Sequence, residues 1–167
     1  MKSKRFDLTL RAFSKSFQGD ARFRLKIVGD GIERSSLKEM ALDLGIDGQV
    51  VFTGRLSRAE VLKQLQESDA FVLPSDFETF GVAYIEALAC GLPVIGTHNG
   101  GADEIINDGC GYLVDTGDDT QLAEAMLRLY REYQYYDKVR LANDCQARFG
   151  EEIVCERIID VYNGYKD

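Results

Sequence analysis

The chain reads as an α/β domain, a parallel sheet covered by helices on both faces. Three observations carry that reading. Short β-branched runs alternate with segments whose apolar residues recur at the helical period. Capping residues and glycines mark where one kind of segment gives way to the other. The loops of unusual composition all follow the strand-like runs, so they gather at one end of the sheet.

The elements follow in order. Phe23 to Val28 is a β-branched run closed by Gly29. Arg34 to Leu44 carries Leu37, Met40, Ala41 and Leu44 on one helical face and ends at Gly45. Gln49 to Thr53 is the next strand. Ser57-Arg58-Ala59-Glu60 is a capping box that opens a helix to about Ser68. A strand follows to Leu73, ended by Pro74-Ser75, and Thr79 is placed as the N-cap of an apolar helix that Gly91 and Pro93 stop. Val94 to Thr97 is a strand, Ala102 to Asn107 a short helix, and Tyr112 to Val114 a brief strand. Asp118-Asp119-Thr120-Gln121 opens a helix to about Tyr130, and helical sequence runs on through Lys138 to Phe149 and Glu151 to Tyr165. Nothing before Phe23 is assigned to an element.

In such sheets ligands bind beyond the carboxyl ends of the strands. Gly29-Asp30-Gly31, Gly54-Arg55, Ser75 to Gly81 and Thr97 to Gly101 all lie there and form one rim. Within it, Glu78 and Glu86 hold the sharpest signal. From Thr79 to Pro93 the sole charged residue is Glu86. A carboxylate there is costly unless it is hydrogen-bonded or faces an open cleft. The helix N-terminus leaves backbone N–H groups free near Phe80, Gly81 and Val82, an anion site suited to a diphosphate. Two turns on, the Glu86 oxygens are placed to accept from the paired hydroxyls of a ribose.

Composition narrows the classes. At 167 residues the chain is one domain, spanning 1–167, with enough residues to bury a core. A net charge of −8 argues against non-specific nucleic-acid binding. No apolar run is long enough to span a bilayer and no signal segment opens the chain, so a cytoplasmic location is expected. Cys90, Cys110, Cys145 and Cys155 show neither metal-ligand nor disulfide spacing. His98 is the one histidine, which leaves no histidine-based triad and no two-histidine zinc site within the chain.

The pattern Glu78, seven residues, Glu86, with Phe80-Gly81 after the first glutamate and Glu86-Ala-x-Ala-x-Gly91-x-Pro93-Val-Ile around the second, resembles retaining glycosyltransferases of the GT-B group. Val28-Gly29-Asp30-Gly31, Val51-Phe52-Thr53-Gly54, Asp69 to Ser75, Gly100-Gly101 to Ile106, and Gly109 to Val114 fall in the family's order. The resemblance implies a Rossmann-like domain equivalent to the C-terminal, donor-binding half of such an enzyme. It implies that Glu86 holds the nucleotide ribose, that Glu78 contacts the donor sugar, and that Gly54-Arg55 meets the base or phosphate. Gly29 and Gly31 join the nucleotide-sugar-binding residues. Lys4, in Lys4-Arg5-Phe6-Asp7-Leu8, matches the family's Lys-Gly-x-Asp-Leu, whose lysine neutralises the leaving diphosphate; Arg5 stands where that motif has glycine. No cofactor or metal is implied. The expected partners are a nucleotide diphosphate sugar and an acceptor-binding N-terminal domain absent from this chain.

A nucleotide-sugar epimerase of the same fold and a non-catalytic nucleotide-binding module completed by a partner chain stay open as alternatives, with a flavodoxin-like signalling domain behind them. The first strand of the family's sheet, central between Phe23–Val28 and Ala70–Leu73, has no counterpart here. Altered pairing of its neighbours or self-association through the exposed edges is therefore expected.

Overall fold

The computed structural model describes residues 4–164. The order is α1 (Phe6–Phe17), β1 (Leu25–Val28), α2 (Arg34–Asp43), β2 (Val50–Gly54), α3 (Arg58–Gln66), β3 (Phe71–Leu73), α4 (Val82–Ala89), β4 (Val94–Thr97), α5 (Gly101–Ile105), β5 (Gly111–Val114), α6 (Asp119–Glu132), α7 (Lys138–Phe149) and α8 (Glu151–Gly164). Strands and helices alternate as the periodicity predicts, and most boundaries fall within two residues of it. Tyr165, the expected end of the last helix, lies outside the described residues.

The capping chemistry explains several boundaries. Ser57 accepts from the Glu60 N–H while the Glu60 carboxylate accepts from the Ser57 N–H, a complete capping box. Asp118 caps α6 through the N–H groups of Thr120 and Gln121, and Asp137 caps α7 through Arg140 N–H. Thr79 caps nothing. The α4 helix starts three residues later, with Gly81 at its N-cap in a left-handed conformation, φ 86°. A Cβ at Gly81 would sit 2.8 Å from the Tyr84 ring and 3.1 Å from Ile105 Cδ1, so both backbone and packing demand glycine there.

The element that sequence reading left unassigned is α1. Its apolar side chains Leu8, Leu10, Ala12 and Phe13 are buried, and the helix packs against α6, α2 and β3. The spacing Phe6, Leu10, Phe13, Phe17 carries the helical period and was there to be found.

All strand pairs are parallel, and they form two sheets: β1 with β2, and β3 with β4 and β5. Among the described residues β1 and β3 do not pair with one another, so the expected altered pairing of these neighbours is not what the fold does. The described residues before Phe23 supply a helix, α1, and no strand. The α1 helix packs against α2, α6 and β3.

Two cores lie on opposite faces. Neighbouring residues of β4 divide between them, Ile95 joining α1, α2 and α6 on one side and Val94 joining α4, α5 and α7 on the other. The layered α/β architecture of the sequence reading is thus realised, with the rim loops at the carboxyl ends of the strands.

Candidate functional site

The loop from Pro74 to Gly81 joins β3 to α4 and carries Glu78. A buried polar network fixes it. Thr97 Oγ1 donates to the Ser75 carbonyl at 2.6 Å, and Asn99 Nδ2 donates to the same oxygen at 3.1 Å. Asn99 Oδ1 accepts from Ala102 N–H at 3.0 Å, which caps α5. Tyr84 donates to the Leu73 carbonyl at 2.6 Å, and burial pushes its hydroxyl well above the usual tyrosine range, so it stays a donor. These groups are satisfied inside the fold, so the end of β3 and the turn after β4 move as one unit.

Onto that unit Glu78 is fastened from both sides. Gly101 N–H donates to the Glu78 carbonyl at 3.1 Å, and a bridge pairs Glu78 with Gly100. A Cβ on Gly101 would lie 2.9 Å from that carbonyl, so the close approach of the two loops depends on glycine. Ser75 Oγ donates to Glu78 Oε1 at 2.8 Å, and Lys4 Nζ donates to the same oxygen. The Glu78 side chain is 12% exposed, so this ion pair sits at a partly dry mouth rather than on open surface.

Beside it stands the N-terminus of α4. Gly81 has no side chain to cap it, and Phe80 and Val82 are exposed, so no side chain caps the first N–H groups of the helix. Glu86 lies one turn beyond Val82 on the same exposed face, and its carboxylate accepts no hydrogen bond among the described residues. Of the two ways a carboxylate survives in so apolar a helix, the structure takes the open one.

A second group forms at the ends of β1 and β2. Gly29 N–H donates to the Gly54 carbonyl at 3.0 Å, and both glycines have positive φ. Gly31 N–H donates to Asp30 Oδ1, and Arg34 reaches the Phe52 carbonyl and the space over Gly54. Arg55 is exposed. No hydrogen bond or ion pair joins this group to Glu78 or Lys4 among the described residues. The structure therefore brings Lys4 to Glu78 and aligns Val82 with Glu86, while Gly29, Gly31, Gly54 and Arg55 form a separate patch of the rim.

His98 is exposed and bonded to Asp103, whose other oxygen accepts from the N–H groups of Asn99 and Gly100. The bond from His98 chiefly, with those N–H groups, holds the Asp103 carboxyl below the usual range against the opposing effect of burial. Sequence reading placed Asn99 in the rim and Asp103 in the Gly100–Ile106 motif but gave neither a role of its own. The signal was an Asn and an Asp flanking Gly100-Gly101, residue types that hydrogen-bond local backbone.

An open groove of about 690 Å³ lies elsewhere, between α8 and the side chains of Phe80, Glu104, Arg148 and Phe149. It meets the rim only at Phe80. No cluster of three potential metal ligands occurs among the described residues. No described helix is long and apolar enough to cross a membrane.

Comparison with known proteins places these features. The family described as Glycosyl transferases group 1 matches residues 1–144. The chain is 33% identical over 163 residues to N-acetyl-alpha-D-glucosaminyl L-malate synthase of Bacillus anthracis, covering 96% of this chain and 41% of that protein. It is 31% identical over 173 residues to D-inositol 3-phosphate glycosyltransferase of a Nocardioides species, covering 93% and 38%. The chain thus spans roughly two-fifths of the length of these curated relatives. In fold it matches the crystal structure of HepE from Anabaena in complex with UDP, with TM-score 0.85 at 22% identity over 98% of this chain and 46% of that one. Sucrose-phosphate synthase from Thermosynechococcus elongatus matches with TM-score 0.85 at 24% identity, over 98% and 43%.

Proposed function

The chain belongs to the glycosyl transferases group 1 family, and on that footing we propose that it is the donor-binding domain of a retaining glycosyltransferase whose donor is a nucleoside diphosphate sugar. One observation carries the reading: an uncapped helix N-terminus, a lysine at its mouth bonded to Glu78, and a free carboxylate, Glu86, on the exposed face of the same helix.

Each part has a role that its chemistry suits. The first N–H groups of α4 and the positive end of its dipole cradle the diphosphate, whose charge grows as it departs. Lys4 adds a cation beside it. Glu78, held by Ser75 and the Gly100–Gly101 turn, orients the sugar hydroxyls. Glu86 accepts from the ribose hydroxyls, and the Gly29, Gly31, Gly54 and Arg55 patch meets the base. No metal or cofactor takes part in this scheme. The acceptor is held by a further domain, as the greater length of the relatives suggests, and reaction takes place in the cleft between the two, in the cytoplasm. Alone, this chain binds the donor and turns over little.

Titration calorimetry with uridine, guanosine and adenosine diphosphates tests the reading. One of them should bind, and Glu86→Ala should weaken that binding about tenfold through loss of the paired ribose bonds. Equal affinity for wild type and variant would remove Glu86 from the site.

A further inference from the structure

Two adjacent basic residues reach two acids of the β3–α4 loop. Lys4 donates to Glu78, and Arg5 donates through Nη1 to Asp76 Oδ1 at 3.0 Å. The rest of the Arg5 fork closes on Asp7, Nε to Oδ1 at 3.0 Å and Nη2 to Oδ2 at 3.2 Å. That second pairing is bidentate, the geometry in which a guanidinium fixes direction as well as charge.

Arg5 is also the N-cap residue of α1, and its backbone lies at φ 49°, ψ 46°. Among the described residues it is the sole non-glycine with positive φ. A left-handed backbone opposes any residue with a Cβ, and it persists at such a residue when the surroundings over-determine it. Here they do. The Leu8 and Thr9 N–H groups both donate to the Arg5 carbonyl, at 3.0 and 3.3 Å, which pins one side of the residue to the helix. Asp7 and Asp76 pin its side chain. Asp76 has no other hydrogen-bond partner among the described residues, so its one link is to the strained residue.

The dihedrals of residue 5 set the direction in which residue 4 leaves the helix. A change there swings Lys4 away from Glu78. We propose that Arg5 is a positioning residue: by clamping Asp7 on its own helix and Asp76 on the loop, it holds the left-handed turn that aims Lys4 at Glu78. It replaces conformational freedom with a tether at a position where glycine would permit the same turn but would not be held in it. That Lys4 then serves the diphosphate rests on the function proposed above; the aim of Lys4 itself does not.

The test uses Arg5→Gly, Asp76→Asn and their combination in the full chain, with two readouts. The first is acetylation of Lys4 by acetic anhydride, followed by mass spectrometry and referred to exposed Lys38. The second is the affinity for whichever of UDP, GDP and ADP the wild-type protein binds. In Arg5→Gly the Lys4 amine should react about threefold faster, the scale of a partly exposed ion pair. The thermal midpoint should not fall, because glycine relieves the backbone. Asp76→Asn should raise Lys4 reactivity alike, and the double variant should add nothing further. Binding of that nucleotide should weaken roughly threefold in each. Unchanged Lys4 reactivity, or effects of the two substitutions that add, would overturn the positioning role. Raised reactivity in a protein that bound none of the three nucleoside diphosphates would keep that role and discard the function proposed for the site.

Discussion

Thr9 shows how one atom can be out of step with its surroundings. It lies on the buried face of α1, 3% exposed, and its hydroxyl oxygen has no hydrogen-bond partner among the described residues. An unsatisfied buried hydroxyl costs about 1–3 kcal/mol, whereas a methyl of the same size costs nothing there. Thr9→Val should therefore raise stability by about 1 kcal/mol, a gain of roughly 3 °C for a chain of this length. A lower midpoint in differential scanning calorimetry would mean that the hydroxyl has a partner in solution. Glu78 is the opposite case, a carboxylate held by Lys4 and Ser75. In the proposed site it sees the sugar and not the nucleotide. Glu78→Gln should leave nucleoside diphosphate affinity within about twofold and weaken the complete sugar nucleotide several times more. Equal weakening of both ligands, read by calorimetry, would reduce Glu78 to general electrostatics.

Among the elements, α3 and α4 are held in different ways. The α3 helix buries none of its residues, so its first turn depends on the Ser57–Glu60 capping box rather than on packing. Ser57→Ala should cost about 1 kcal/mol at that helix. Faster amide exchange confined to residues 58–66 should accompany it, and exchange that speeds up throughout the domain would contradict a local role. In α4, by contrast, Tyr84, Ala87 and Leu88 are buried and the N-terminus is left without a cap. A helix fixed by its core face can leave its first N–H groups free for a ligand, which one fixed by its cap cannot. The α8 helix is fixed by neither. It packs on α7, and Val154, Ile158, Ile159, Val161 and Tyr162 stay exposed along it.

For the whole molecule, the response to acid follows from its paired carboxylates. Asp7 and Asp103 both lie below the ordinary aspartate value. At Asp7 burial pushes upward, but the bonds from Arg5 and then the charge of Arg11 outweigh it; at Asp103 the bond from His98 leads. A depressed carboxyl contributes stability that is fully present above its unfolded pKa and is lost as pH falls through the folded one. Denaturant midpoints should thus be flat above about pH 5 and fall below about pH 4, where unfolded aspartates take up protons first. A midpoint that rises on acidification would show the pairs to be absent in solution. The two sheets add a second consequence at this scale. Among the described residues β1 and β3 do not pair with each other, and an unpaired strand edge invites association.

Local chemistry determined much of this protein from sequence. Glycines and caps fixed where elements end, the Glu78–Glu86 spacing singled out the loop and helix of the proposed site, and the alternation of periods fixed the α/β class. Those are properties of neighbouring residues, and the chain writes them side by side. The tertiary structure decided what depends on residues far apart. Lys4 meets Glu78 and Arg5 meets Asp76 across some seventy residues of chain, and no spacing announces either pair. The start of α4 moved from Thr79 to Gly81 because Tyr84 and Ile105 leave room there only for a glycine. The division into β1–β2 and β3–β4–β5 likewise shows only in the fold, because strand pairing joins residues distant along the chain.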